Sequence, residues 1–232
     1  LFRSISSIRA IGFHDLYEYD SDTLVYEMGK LTKAIFYACS GQVHQFDYGS
    51  NGKISNHYVT QGALFNYDLN FDISTITSQY KTKTIYTYNT ENELTKTEMF
   101  EGNGTGYDYY SEYNYDYDSE NRIYRIQYSD IDGYNWTEGA EEFDENGNMI
   151  LDTDNTTYEY DNNPNPMYIL FKEYGLVYIE SCSSLEFATY SPNNLTRFYL
   201  PDGQEGCFRA TYTYDSDGYP NSAYYRNCGN GE

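Results

Sequence analysis

The stretch Tyr115-Asp116-Tyr117-Asp118-Ser119-Glu120-Asn121-Arg122-Ile123 decides the fold. Two tyrosines two positions apart put both rings on one face of an extended strand. Asp118 then opens a turn, because a short polar side chain can bond the backbone ahead of it and tolerates left-handed conformations. Asn121 supplies the positive φ of that turn. Ile123, six residues after Tyr117, begins the return strand. The unit is one β-hairpin.

Seven further stretches follow the same plan. They are Tyr17-Glu18-Tyr19-Asp20 with Asp22 and Val25, Phe46-Asp47-Tyr48 with Asn51-Gly52 and Ile54, and Phe65-Asn66-Tyr67-Asp68 with Asn70 and Ile73. Tyr86-Thr87-Tyr88-Asn89 follows with Asn92 and Leu94, then Phe143-Asp144 with Asn146-Gly147 and Met149. Tyr158-Glu159-Tyr160-Asp161 has Asn163 before Pro164, and Tyr212-Thr213-Tyr214-Asp215 closes with Asp217-Gly218 and Pro220. The fold class that follows is all-β: an antiparallel meander of about eight β-hairpins in one domain over residues 1–232, a twisted sheet able to curl toward an open barrel.

Residues 166–206 break the rhythm as a non-repeat insertion. Met167, Leu170, Phe171, Tyr174 and Tyr178 recur at helical spacing, with Asn165-Pro166 as a start signal and Gly175 as a stop. One short helix near 167–174 and a buried strand around 176–180 are both open readings.

Fourteen Lys+Arg stand against 36 Asp+Glu, a net charge of −22, and 31 of the 232 residues are Tyr. So acidic a surface repels phosphate backbones and excludes nucleic acid as a partner. No apolar run reaches the length of a transmembrane helix, and the aromatic content argues for a packed chain. The opening Leu1-Phe2-Arg3-Ser4 lacks the apolar segment of a secretory signal and reads as a mature or trimmed chain.

Cys39, Cys182, Cys207 and Cys228 form no CxxC pair, which argues against a zinc site. If Asp217-Gly218 is a two-residue type I′ turn, Cys207 falls opposite Cys228 and Pro220 opposite Asp215, both at non-hydrogen-bonded positions. That register predicts a Cys207–Cys228 disulfide and an oxidising compartment. Cys39–Cys182 follows by elimination.

The repeat resembles the Tyr-Asp (YD) repeat of bacterial cell-surface proteins, with Tyr117-Asp118-Ser119-Glu120-Asn121-Arg122-Ile123 nearest its usual form. The blocks Tyr158 to Met167, Ser191 to Thr196 and Tyr212 to Pro220 resemble a family of uncharacterised exported proteins of Bacteroidota, many of them lipoproteins. The resemblance implies export, a place at the cell surface or the periplasmic face of the outer membrane, and a many-stranded antiparallel sheet. It brings no catalytic residues. It also makes Thr23, in Asp22-Thr23-Leu24, a candidate for O-glycosylation.

No catalytic motif stands out from the abundant carboxylates, so the chain is expected to be no enzyme and to need no cofactor. His14, His44 and His57 read as isolated histidines. Asp130-Ile131-Asp132-Gly133-Tyr134-Asn135-Trp136-Thr137-Glu138 has the opening of a calcium loop, with Asp130, Asp132 and Glu138 as candidate ligands, but it lacks a third properly spaced ligand before the Gly, so a hairpin tip is the preferred reading. Tyr134 and Trp136 are candidate binding residues, since aromatics anchor protein partners or stack on sugars. The expected function is a non-catalytic envelope accessory protein that binds a protein partner as a subunit of an outer-membrane assembly. The alternative is a glycan-binding module built on exposed Tyr and Trp.

Overall fold

The computed structural model describes residues 23–27, 30–36, 42–61, 81–176 and 190–227. The strands are β1 (Thr23–Glu27), β2 (Lys30–Phe36), β3 (Gln42–Tyr48), β4 (Ile54–Gln61), β5 (Lys81–Tyr88), β6 (Leu94–Gly102), β7 (Tyr107–Tyr117), β8 (Ile123–Asp130), β9 (Asn135–Phe143), β10 (Met149–Asp152), β11 (Thr157–Pro164), β12 (Asn193–Tyr199), β13 (Glu205–Tyr214) and β14 (Pro220–Asn227). One helix, α1 (Pro166–Tyr174), stands between β11 and β12. Each strand pairs with its neighbours in sequence, so the order is β1 to β14 without a crossover. The antiparallel meander read from the repeat is the fold.

The chain divides into two compact units. Among the described residues, the first comprises those up to Asn114 together with Tyr128–Asn135; the second comprises Tyr115–Gln127, 136–176 and 190–227. In the first unit the buried apolar residues include Leu31, Val43, Phe46, Ile54, Tyr86 and Leu94, and in the second Ile123, Ile126, Met149, Leu170, Phe171 and Leu195. Ile54, Leu94, Ile123 and Met149 are the residues that open the return strands of four repeats. Burying each contributes roughly 1.5–3 kcal/mol, which is why the repeat keeps an apolar side chain there.

One turn recurs. After Asn89, Asp118, Asp130, Asp144, Asp152 and Asp215, the backbone N–H of the first residue donates to the carbonyl four residues on, and its own carbonyl accepts from the N–H three residues on. In each of the six, the side-chain Oδ1 also accepts from the N–H groups two and four residues ahead, at 2.8–3.1 Å. The residue three positions on is left-handed: Asn92, Asn121, Gly133, Gly147, Asn155 and Gly218, with φ between 60° and 87°. This is a type I turn closed by a left-handed residue, a common hairpin connection. The acid or amide is thus a structural cap that satisfies backbone donors no strand can reach.

The last hairpin corrects the expected type I′ turn. Gly218 donates to the Asp215 carbonyl and Asp215 N–H to the Tyr219 carbonyl, so the turn spans Ser216-Asp217-Gly218 with only Gly218 left-handed. A shift between Thr213 and Tyr214 pairs Pro220 with Tyr214, not Asp215. From Thr213↔Ser222 to Phe208↔Asn227 the pairs keep the expected register, because the shift absorbs the extra turn residue. Cys39, Cys182 and Cys228 lie outside the described residues, as does the Cys207 side chain.

The repeats are also tied to one another through tyrosine hydroxyls. Tyr48 donates to the Leu31 carbonyl, Tyr88 to that of Ile54 and Tyr212 to that of Leu195, each at 2.8 Å. Each hydroxyl reaches a carbonyl near the start of the strand before its own, which explains Tyr rather than Phe at those positions.

The Tyr158 copy makes no hairpin. Asp161 still accepts from Asn163 N–H at 2.9 Å, but β11 continues to Pro164 and leads into α1. Asn165 caps that helix by accepting from Met167 N–H, Pro166 takes its first turn, and Gly175 ends it with φ 74°. The helical reading of this segment holds.

Candidate functional site

The Asp130–Tyr134 turn, in the first unit, carries the two most exposed large apolar side chains among the described residues. Ile131 is 64% exposed and Tyr134 63%, ahead of Leu200 at 43% and Tyr109 at 36%. The turn is rigid for the reasons given above: Asp130 Oδ1 accepts from Asp132 and Tyr134 N–H at 3.0 and 2.9 Å, and Ile131 N–H donates to the Tyr110 carbonyl at 2.9 Å. Behind it runs an aromatic row. Tyr134 meets Tyr128 edge-on at 6.2 Å between centroids, and Tyr128 meets Tyr113 at 4.9 Å. Burial, together with Asp130 and Tyr110 nearby, pushes the Tyr128 hydroxyl above its usual range.

Asp130 is the turn cap, Asp132 is exposed, and Glu138 lies in β9 within the second unit. No group of three His, Cys, Asp or Glu among the described residues is placed to hold a metal ion. Trp136 is the second residue of β9 and half-buried, also in the second unit. Thr23 opens β1, and its side chain lies outside what is described.

The second unit gathers the three sequence blocks of the family resemblance into one polar network. Asp161 Oδ1 accepts from Asn194 N–H and Nδ2, both at 3.2 Å, and its Oδ2 accepts from Asn194 Nδ2 and the Tyr214 hydroxyl. Burial and that carboxylate push Tyr214 up to about 12. The buried Asn148 donates through Nδ2 to Asp144 and Asn193 at 2.8 and 2.9 Å, and its Oδ1 accepts from Asn193 N–H at 2.9 Å. Asn193 Nδ2 donates to the Asn163 carbonyl, and Asn165 Nδ2 to that of Ser191, each at 3.0 Å. The buried Ser191 hydroxyl accepts from Met149 N–H at 3.2 Å and donates to Tyr160 at 3.1 Å. Each of these amides is satisfied, as a buried polar network requires. It joins β10, β11, the α1 cap, β12 and β13 and has the character of a structural clasp.

A second buried polar feature escaped the sequence reading. His44 Nδ1 and His57 Nε2 lie 2.8 Å apart inside the first unit, their rings stacked with centroids 5.0 Å apart. Phe46 stacks on His57 at 4.7 Å and the Tyr86 hydroxyl lies 3.5 Å from His57 Nδ1. Burial, reinforced at His44 by its neighbour, holds that imidazole well below its usual range, and burial lowers His57 to about 3. Both rings are therefore neutral at pH 7, one donating to the other. The signal was available: Phe46 and His57 are cross-strand partners, and His44 shares their face two residues away.

No protein-family model matches the chain, and no curated protein matches it. Among solved structures, it is similar to a porin-like protein from Bacteroides uniformis, at 15% identity and a TM-score of 0.39, covering 88% of this chain and 69% of that one.

Proposed function

We propose that the chain is a non-catalytic accessory protein of the bacterial cell envelope that grips a protein partner through the Asp130–Tyr134 turn, as a subunit of an outer-membrane assembly. The observation that carries this reading is the pairing of Ile131 and Tyr134, both largely exposed, on a turn whose backbone is already fixed by hydrogen bonds. Fixing the turn in advance removes the ordering cost that binding would otherwise incur. An exposed aromatic beside an aliphatic side chain suits a pocket on a protein, where tyrosine commonly anchors. The Tyr-Asp repeat supports the envelope location, and a net charge of −22 favours a partner with a basic face.

Glycan binding is the second reading, favoured by the edge-on row Tyr113, Tyr128 and Tyr134. A sugar face needs aromatic surface and polar groups, and it gains little from Ile131. The two separate in one experiment. The whole chain is immobilised and challenged with envelope fractions of its native host in mild detergent, beside an I131S/Y134S variant. One stoichiometric protein retained by the wild type and lost at least about tenfold by the variant is expected, the factor corresponding to about 1.4 kcal/mol. Equal retention by both, or retention of polysaccharide alone, overturns the protein reading.

A further inference from the structure

We propose that Asn103-Gly104 is a site of spontaneous covalent modification, in which the fold itself promotes closure of the Asn103 side chain onto the backbone. Three Asn-Gly pairs lie among the described residues: Asn51-Gly52, Asn103-Gly104 and Asn146-Gly147. In two of them the glycine N–H is engaged, Gly52 donating to the Gly49 carbonyl at 3.0 Å and Gly147 to that of Asp144 at 3.1 Å. Gly104 N–H has no such partner, since the turn between β6 and β7 is closed by Asn103 N–H to the Gly106 carbonyl.

The electrophile is activated on the same residue. Asn103 Oδ1 accepts three hydrogen bonds, from Thr105 N–H at 3.0 Å, the Thr105 hydroxyl at 3.1 Å and Gly106 N–H at 2.7 Å. Asn51 Oδ1 accepts one, from Lys53 N–H at 3.1 Å. Donors on a carbonyl oxygen stabilise the negative charge that develops there when its carbon is attacked. Asn103 and Gly104 are both exposed, so water reaches them. Beyond its chain neighbours, no heavy atom lies within 4 Å of where a Cβ on Gly104 would stand, as is also true of Gly52, so open space alone does not set the two apart.

The chemistry balances without any further reagent than water. Gly104 N bonds to Cγ of Asn103, the Cγ–Nδ2 bond breaks, and ammonia leaves with the proton lost from Gly104. Water then opens the five-membered imide at either carbonyl, giving aspartate or isoaspartate. Either product adds one negative charge, and isoaspartate lengthens the β6–β7 connection by one backbone carbon.

The test incubates the whole folded chain, made in a bacterial host, at mildly alkaline pH. Digestion at acidic pH, mass spectrometry and enzymatic methylation of isoaspartate then read each Asn-Gly pair. The same incubation in urea provides the unfolded reference. Asn103 is expected to convert at least about fivefold faster than Asn51 and Asn146 in the folded chain, as releasing one backbone hydrogen bond implies. That lead should disappear in urea, and Thr105→Val should slow Asn103 alone. Equal rates in the folded chain, a lead by either other pair, or the same lead in urea overturns the proposal.

Discussion

Asp161→Ala is expected to lower the urea midpoint more than removal of an exposed hairpin cap, at a cost of roughly 2–4 kcal/mol. Asp161 accepts from Asn163 N–H, from both the N–H and Nδ2 of Asn194, and from the Tyr214 hydroxyl. Asn194 is buried, so losing the carboxylate strands its N–H away from water and leaves Nδ2 with the Asn163 carbonyl, and the desolvation penalty of the stranded donor falls on the folded state. Asp215→Ala is the control. Its Oδ1 accepts from two N–H groups in an exposed turn, where water replaces the lost bonds, and the expected cost is about 1 kcal/mol. Equal losses in the two variants would show that the network is no more than a set of independent turns.

The second large effect is acid lability. His44 and His57 are buried and neutral, each with its folded-state pKa below the usual 6.5. Above pH 6.5 neither state takes up protons at these rings, and their neutrality costs nothing. As pH falls below 6.5 the unfolded chain binds protons that the folded chain refuses, so stability declines, by up to about 1.4 kcal/mol per pH unit for each ring. For His57 the decline runs on to about pH 3, where the folded ring protonates too. Urea titrations between pH 7 and 4.5 should show this slope in the wild type and a much shallower one in H44N/H57Q. Parallel slopes would assign the acid effect to carboxylates alone.

The local features of this chain are written in its sequence. Tyr117-Asp118 followed by Asn121 and Ile123 gives strand, cap, left-handed residue and return strand from four side chains, and the structure repeats that arrangement. Asn165, Pro166 and Gly175 bound α1 because capping is chemistry between near neighbours. At Asp130 the hairpin turn preferred from the sequence is what forms; a turn cap also imitates the opening of a calcium loop, since both need oxygen acceptors beside a tight bend. Asp217-Gly218 misled for a related reason. Type I′ and type I turns both use Asp-Gly, and the choice rests on where the flanking strands shift register.

Less was legible where contacts are distant. Asn148 meets Asn193 from 45 residues away, and Tyr214 meets Asp161 from 53. Period-two alternation tells which face a residue occupies, not which residue of a remote strand shares it. The His44–His57 pair sits between these cases, two side chains on one face of a single hairpin, recoverable once the β3–β4 register is known.

The proposed recognition through the Asp130–Tyr134 turn is open to a direct measurement. A photo-crosslinking amino acid placed at position 131, and in a second protein at the half-exposed position 95 of β6, tests it inside living cells of the native host. Illumination should yield one discrete crosslinked protein from position 131 and none from position 95. The same adduct from both positions, or none from 131 while the folded protein is present in the envelope, would contradict it.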